Sequence, residues 1–147
     1  MKTVAIGLAL IIASTRYTLA EGLGDTALEV PTYEVVRATG PIIVDGRPDD
    51  PSWAQADPIE FIFPWNDVEQ EGAQSTVARL LWDEEHLYAI YECIDPYLDS
   101  EVTEHDGAVY KEDAVELFAT PNPDDLSAYF GYEMNIKGTL LDYIAFG

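Results

Sequence analysis

The chain has few positive charges, and this shortage limits its partners. Its 147 residues include 7 Lys and Arg against 28 Asp and Glu, and two of the cations lie among the first 20 residues, so the remainder carries a net charge of −23. A surface this acidic repels phosphate backbones and anionic lipids, which are bound by clustered Lys and Arg. We therefore expect no nucleic-acid partner.

Cysteine and histidine are also scarce. The single cysteine, Cys93, cannot form a disulfide within the chain, and its strand-like neighbours predict a small, buried apolar side chain. With only two histidines, His86 and His105, the chain has no His-rich transition-metal site, and His105 is expected at the surface.

Long apolar runs are lacking except at the N-terminus. There, Lys2 is followed by "VAIGLALIIA" and then by "TLA" before Glu21, which is the charged, apolar and small-residue order of a secretory signal peptide. Polar residues break the run before it reaches the roughly 20 apolar residues of a membrane span. We predict a signal peptide over residues 1–20 and a secreted protein, extracellular or periplasmic, with no membrane contact after cleavage.

Helical periodicity is nearly absent, and short β-favouring runs alternate with Pro, Gly and Asp. This pattern predicts an all-β sandwich of the jelly-roll or immunoglobulin-like type. The runs before and after "DEEH" are apolar on both faces and predict a central hairpin. "IIVDGRPDDPSWAQA" predicts a short strand, a turn and a brief helical segment, with Trp53 in the core; Trp82 is also expected there.

The organisation follows from these runs. Residues 21–39 are predicted to be a linker with one N-terminal strand, and residues 40–147 a single domain. The chain stops at Gly147 directly after an apolar strand candidate, so we expect a sandwich that is incomplete at the C-terminus.

Four segments in order carry a family resemblance. "IIVDGRPDDPSW", "ARLLWDEEHLYAIYECIDP", "VYKEDAVELFATP" and "YEMNIKGTLLDY" resemble the family 9 carbohydrate-binding modules and their family 9-like relatives. The resemblance implies a secreted, C-terminally truncated β-sandwich that binds polysaccharide or oligosaccharide, carries calcium, and is fused to or associated with a glycoside hydrolase.

The resemblance also implies a sugar site. The aromatic just before the "D-x-V-E" strand, which stacks on a sugar ring, is Tyr110, and the Glu that takes its hydroxyls is Glu116. On the following strand Asn135 matches an amide near the sugar. Glu133 stands where the family has a basic residue, which leaves the sugar specificity open.

The residues alone are consistent with such a site. A pyranose needs a flat aromatic for its C–H face and polar groups at its rim. Strand alternation places Glu133 and Asn135 on one face, so a polar stripe forms if their strand pairs with that of Glu116. The alternative is an ordinary solvated sheet face. Trp65, among polar residues in "FPWND", is a second candidate platform.

The acidic loop "DPYLDSEVTEHD" is a candidate calcium site, because calcium takes six to eight oxygen ligands. The candidate ligands are Asp95, Asp106 and Asp113. No EF-hand spacing is present, so the signal is compositional and a solvated loop is the alternative.

Catalysis is not predicted. The sequence has no Gly-x-Ser-x-Gly elbow or phosphate loop, and strand alternation points Asp113 and Glu116 to opposite faces, so they do not flank one glycosidic bond. Two other classes stay open. One is a haem-binding electron-transfer sandwich, with Met134 and Lys137 as axial ligands that a Gly turn and opposing faces disfavour. The other is a structural surface domain.

Overall fold

The computed structural model describes residues 2–8, 32–61 and 75–147. Strands account for nearly all regular structure there, together with two 3₁₀ helices, Pro51–Gln55 and Val109–Lys111. The strands are β1 (Lys2–Leu8), β2 (Val36–Arg37), β3 (Ile59–Glu60), β4 (Ser75–Trp82), β5 (Leu87–Ile94), β6 (Ala114–Ala119), β7 (Ala128–Asn135) and β8 (Leu140–Phe146). A search of these residues finds no helix with the length and hydropathy to cross a membrane.

The first sheet is built on the predicted hairpin. β4 and β5 pair antiparallel over their whole length, and β1, β2 and β3 add to their edges. The Asp83 carboxylate closes the turn by accepting the Glu85 and His86 N–H groups and the Tyr88 hydroxyl. These hydrogen bonds, with that of Glu85 the largest, lower the pKa of Asp83 to about 2. The hairpin prediction is confirmed.

Both faces of this sheet are covered. Five consecutive β5 residues, 87–91, are buried, as the two-sided apolar pattern predicted. One face forms a cluster with Trp53, which is 2% exposed, and the other forms a second cluster around Ala89 and Tyr91. Trp53 is therefore a core residue as expected, whereas Trp82 is only half-buried, with the Arg37 guanidinium 5.7 Å from its ring centroid.

The second sheet, β6-β7-β8, packs on the second cluster. Val115 of β6 packs against that cluster, and the Tyr91 hydroxyl donates to the Glu116 carbonyl at 2.9 Å. Because side chains alternate along a strand, residues next to Val115 point away from the first sheet. We call five of the side chains on that side the outer face: Glu116, Phe118, Tyr129, Glu133 and Tyr143. The two packed sheets confirm the all-β sandwich.

The "IIV" run is not a strand, which corrects that expectation. Ile43 and Val44 are more than half exposed, and the Ile43 N–H donates to the Asp50 carboxylate at 2.9 Å rather than to a neighbouring strand. The predicted helical segment is present as the 3₁₀ helix Pro51–Gln55. Of the predicted N-terminal strand, Val36–Arg37 pairs with β4.

Two predictions concern regions where less is described. Lys2–Leu8, inside the predicted signal peptide, lies antiparallel to β5, and the signal peptide itself stays a prediction. Trp65 lies outside the described residues.

Cys93, expected to be buried, is only half-buried, and burial raises the pKa of its thiol.

Candidate functional site

Tyr110 is an exposed aromatic on an anchored turn. It is the middle residue of the 3₁₀ helix Val109–Lys111, which packs against β6 and β7. Val109 is fully buried, whereas 58% of Tyr110 is exposed. The Lys111 ammonium lies 5.6 Å from the Tyr110 ring centroid. The buried neighbour fixes the turn, so the Tyr110 ring is presented to solvent as a platform.

Two carboxylates after Tyr110 tie this turn to the acidic loop. Glu112 Oε1 accepts the N–H groups of Glu101 and Val102 at 2.6 and 2.7 Å. Asp113 Oδ2 accepts the Asp99 N–H at 2.6 Å. Desolvation alone would raise the pKa of Glu112. The hydrogen bonds from these N–H groups lower it by more, so this pKa lies below its ordinary value. Glu112 is not among the site residues that the sequence predicts.

Asn135 has a structural position. None of its surface is exposed, and Nδ2 donates to Val102 O at 2.9 Å and to Glu112 Oε2 at 3.1 Å. Its Oδ1 accepts the N–H groups of Lys137 and Thr139, both at 3.0 Å, across a turn in which Gly138 has a φ of 81°. The amide thus links the acidic loop to the β7–β8 turn. Its donors and acceptors are all used within the protein, so none is left to bind a sugar in this geometry.

Glu116 and Glu133 are cross-strand neighbours on the outer face. Glu116 is exposed, whereas Glu133 is 6% exposed. The Tyr143 hydroxyl donates to Glu133 Oε1 at 3.2 Å, and Glu133 Oε2 is buried without a hydrogen-bond partner among the described residues. Desolvation and then the Glu133 charge raise the pKa of Glu116. The predicted polar stripe therefore includes a pair of carboxylates side by side.

An aromatic wall borders this pair. Phe118, 53% exposed, meets Tyr129 edge to face at 5.7 Å between ring centroids, and Tyr129 lies 6.4 Å from Tyr143. The Tyr143 ring lies over Gly131, where a Cβ would come within 2.7 Å of Tyr143 Cε2. The sequence analysis does not predict this wall. Strand alternation places Phe118 on the same face as Glu116, but the position of Tyr143 depends on the β7–β8 register.

The three predicted calcium ligands lie apart. In the described part of the chain, ligand atoms of at least three acidic, His or Cys residues come within 4.8 Å of one another only at His105, Asp106 and Asp142, all exposed. Asp95 and Asp113 are outside this group, and each accepts a backbone N–H instead. An imidazole is not among the oxygen ligands that calcium prefers. Calcium binding by Asp95, Asp106 and Asp113 together does not fit this geometry, and a calcium site stays a prediction.

The two residues of the haem alternative are separated. Met134 is 8% exposed and lies on the core side of β7, because its neighbours in sequence, Glu133 and Asn135, occupy the other side. Lys137 is exposed in the following turn. Nothing in this arrangement favours joint ligation.

Fold and site together define a β-sandwich binding domain with an exposed aromatic turn beside a polar sheet face. The family described as carbohydrate family 9 binding domain-like matches residues 44–140, and the chain belongs to this family. The predicted resemblance is confirmed, and family membership supports a carbohydrate-binding role.

A similar protein is the exoglucanase XynX of Acetivibrio thermocellus. It is 30% identical over 106 residues, which cover 72% of this chain and 9% of that enzyme. The chain therefore spans a small part of the relative it matches. No solved structure matches the chain.

Proposed function

We propose that this protein is a secreted, non-catalytic carbohydrate-binding domain that holds a polysaccharide or oligosaccharide by aromatic stacking and carboxylate hydrogen bonds. The contacting surface is the Tyr110 ring together with the outer face. The domain acts as an accessory part of a glycan-degrading system, a role supported by its similarity to part of an exoglucanase.

The observation that carries this proposal is the exposed Tyr110 ring on a fixed turn. An exposed aromatic on a mobile loop loses conformational freedom when it binds, which subtracts from affinity. Here Val109 is fully buried on one side of Tyr110, and Glu112 binds two N–H groups on the other. The ring is therefore already positioned for the C–H face of a sugar.

The outer face supports binding rather than hydrolysis. Glycosidases place two carboxyl groups on either side of the bond that they cleave. Glu116 and Glu133 instead project side by side from adjacent strands of one sheet, and Glu133 is buried beside Tyr143. Such a pair contacts one rim of a sugar.

The test is isothermal titration calorimetry of the full chain with cello- and xylo-oligosaccharides. Tyr110→Ala removes the stacking surface and should weaken binding of the best oligosaccharide by about 1–2 kcal/mol, or roughly tenfold, with little change in melting temperature. Tyr97→Ala is the matched control, because Tyr97 is 78% exposed and lies on the acidic loop. It should bind like the parent protein.

Equal loss in both variants, or no loss in Tyr110→Ala, would place the sugar elsewhere on the chain. Absence of binding by the parent to a broad set of glycans would favour the structural surface domain instead.

A further inference from the structure

The outer face holds a buried carboxylate that the protein does not fully satisfy. Glu133 is 6% exposed, its Oε1 accepts the Tyr143 hydroxyl, and its Oε2 has no partner among the described residues. A buried charged oxygen without a hydrogen bond costs folding free energy. Such a group in a native protein calls for an explanation, and a bound water, ion or ligand is one.

The neighbouring charge increases this cost. Glu116 faces Glu133 directly across the β6–β7 ladder, and directly opposed side chains have Cβ atoms about 5 Å apart. Like charges at that separation destabilise a sheet. Where side chains are described, two arginines form ion pairs elsewhere, Arg37 with Glu84 and Arg79 with Glu92, and no Lys or Arg forms one with Glu116 or Glu133. The two carboxylates thus lack a cation.

The acceptor set fits an ammonium group better than a metal ion. An ammonium has three N–H donors and no acceptor. Glu133 Oε2 and the two oxygens of Glu116 supply three acceptors on directly opposed residues of neighbouring strands. Calcium requires six to eight oxygens, more than these two side chains offer. Oε2 has almost no exposed surface of its own, so a neighbouring side chain must move before an ammonium reaches it.

The surroundings fit a sugar ring. Phe118 follows Glu116 by two residues on the same face and is 53% exposed, so an apolar ring surface lies beside the carboxylates. A pyranose can place its C–H face against such a ring while a rim substituent reaches the charged pair.

We propose that the outer face selects a glycan with a protonated amino group, such as a polymer of glucosamine units, whose ammonium binds between Glu116 and Glu133. This inference rests on the proposed carbohydrate-binding function and names its substrate class. The amine forms charge-assisted hydrogen bonds to both carboxylates and removes their repulsion.

The experiment compares three β-1,4-linked oligosaccharides of equal length that differ at C2 of each ring. These are oligomers of glucosamine, N-acetylglucosamine and glucose, titrated into the full chain at about pH 6, below the pKa of an ordinary amino group. We expect the glucosamine oligomer to bind at least about tenfold more tightly than the other two, because hydrogen bonds to charged groups are the stronger ones.

Variants separate the site from the general acidity of the chain. Glu116→Gln and Glu133→Gln should each reduce the preference for the glucosamine oligomer over the glucose oligomer about tenfold. Glu104→Gln is the control, because it removes one charge from an exposed loop residue. It should leave the preference unchanged. Melting curves of all variants show whether each has folded.

The outcomes are distinct. If the neutral oligomers bind as tightly as the amine, the inference is overturned and the proposed function stands. If the amine is preferred equally by the parent and both Gln variants, general charge attraction explains the preference and the inference is again overturned. If no oligomer of the three binds, the inference is overturned, and the proposed function fails with it only if the xylo-oligosaccharides and the broader set of glycans do not bind either.

Discussion

Two buried polar residues on β7 have opposite environments. Asn135 is fully buried and makes four hydrogen bonds, to Val102, Glu112, Lys137 and Thr139. Glu133, two residues earlier on the same strand, is nearly as buried but has a single hydrogen bond, from Tyr143. Buried polar groups are normally paired, so Asn135 meets the requirement of a stable fold and Glu133 does not.

The hydrogen bonds distinguish the residue that serves the fold from the one that does not. Asn135 joins the loop after β5 to the β7–β8 turn through contacts within the protein. Glu133 and its neighbour Glu116 add like charge to one sheet face. We infer that the Asn135 end of the strand is a structural junction and that the Glu133 end is available to a ligand.

We expect the greatest loss of stability when the structural junction is disrupted. Asn135→Ala should lower the free energy of unfolding by about 3 kcal/mol, because the Val102 carbonyl, the Glu112 carboxylate and two N–H groups each lose a bond that burial makes costly. Chemical denaturation measures this loss. Asn122→Ala, in an exposed turn, is the control and should change the free energy of unfolding by less than about 1 kcal/mol. If the two variants were similarly stable, the Asn135 end of β7 would not be a structural junction.

A smaller loss is expected at the aromatic wall. In Gly131→Ala the new Cβ would lie within 2.7 Å of Tyr143 Cε2, so the ring or the strand beneath it must shift. Overpacking of this kind costs about 1–3 kcal/mol. Gly40→Ala is the matched control, since a Cβ there meets no atom within 4 Å. Thermal melting compares the two variants, and if both melt like the parent, the close ring contact does not exist in solution.

The sequence predicted some of this arrangement and not the rest, for physical reasons. The β4–β5 hairpin followed from a two-sided apolar pattern that only a central strand tolerates. To predict that Glu116 faces Glu133, only strand alternation and one hairpin were needed. The burial of Asn135 depends on Val102 and Glu112 in a loop that returns from the other sheet, and no local pattern encodes that return. Tyr143 likewise reaches Glu133 through the register of a third strand.

The smallest effect on stability is expected at Glu116. Its pKa is raised in the folded protein, so between its ordinary and its raised pKa the folded state binds more protons than the unfolded state. The free energy of unfolding therefore falls as pH rises through this window. Glu116→Gln lacks that fall and should be more stable than the parent at neutral pH, by less than about 1 kcal/mol because solvent screens an exposed charge. The gain should vanish below the ordinary pKa of Glu.

Melting temperatures across pH measure this gain. A Glu116→Gln variant that is less stable than the parent at neutral pH would show that the carboxylate supports the fold.

The measurement that bears most directly on the outer face as a ligand site is the affinity of Glu116→Gln for the best-binding oligosaccharide, taken with its neutral-pH stability. We expect the variant to bind at least about tenfold more weakly than the parent although it is equally or more stable, since the carboxylate contacts the ligand and repels Glu133 in its absence. Unchanged affinity in a folded Glu116→Gln variant would contradict a ligand site at this face.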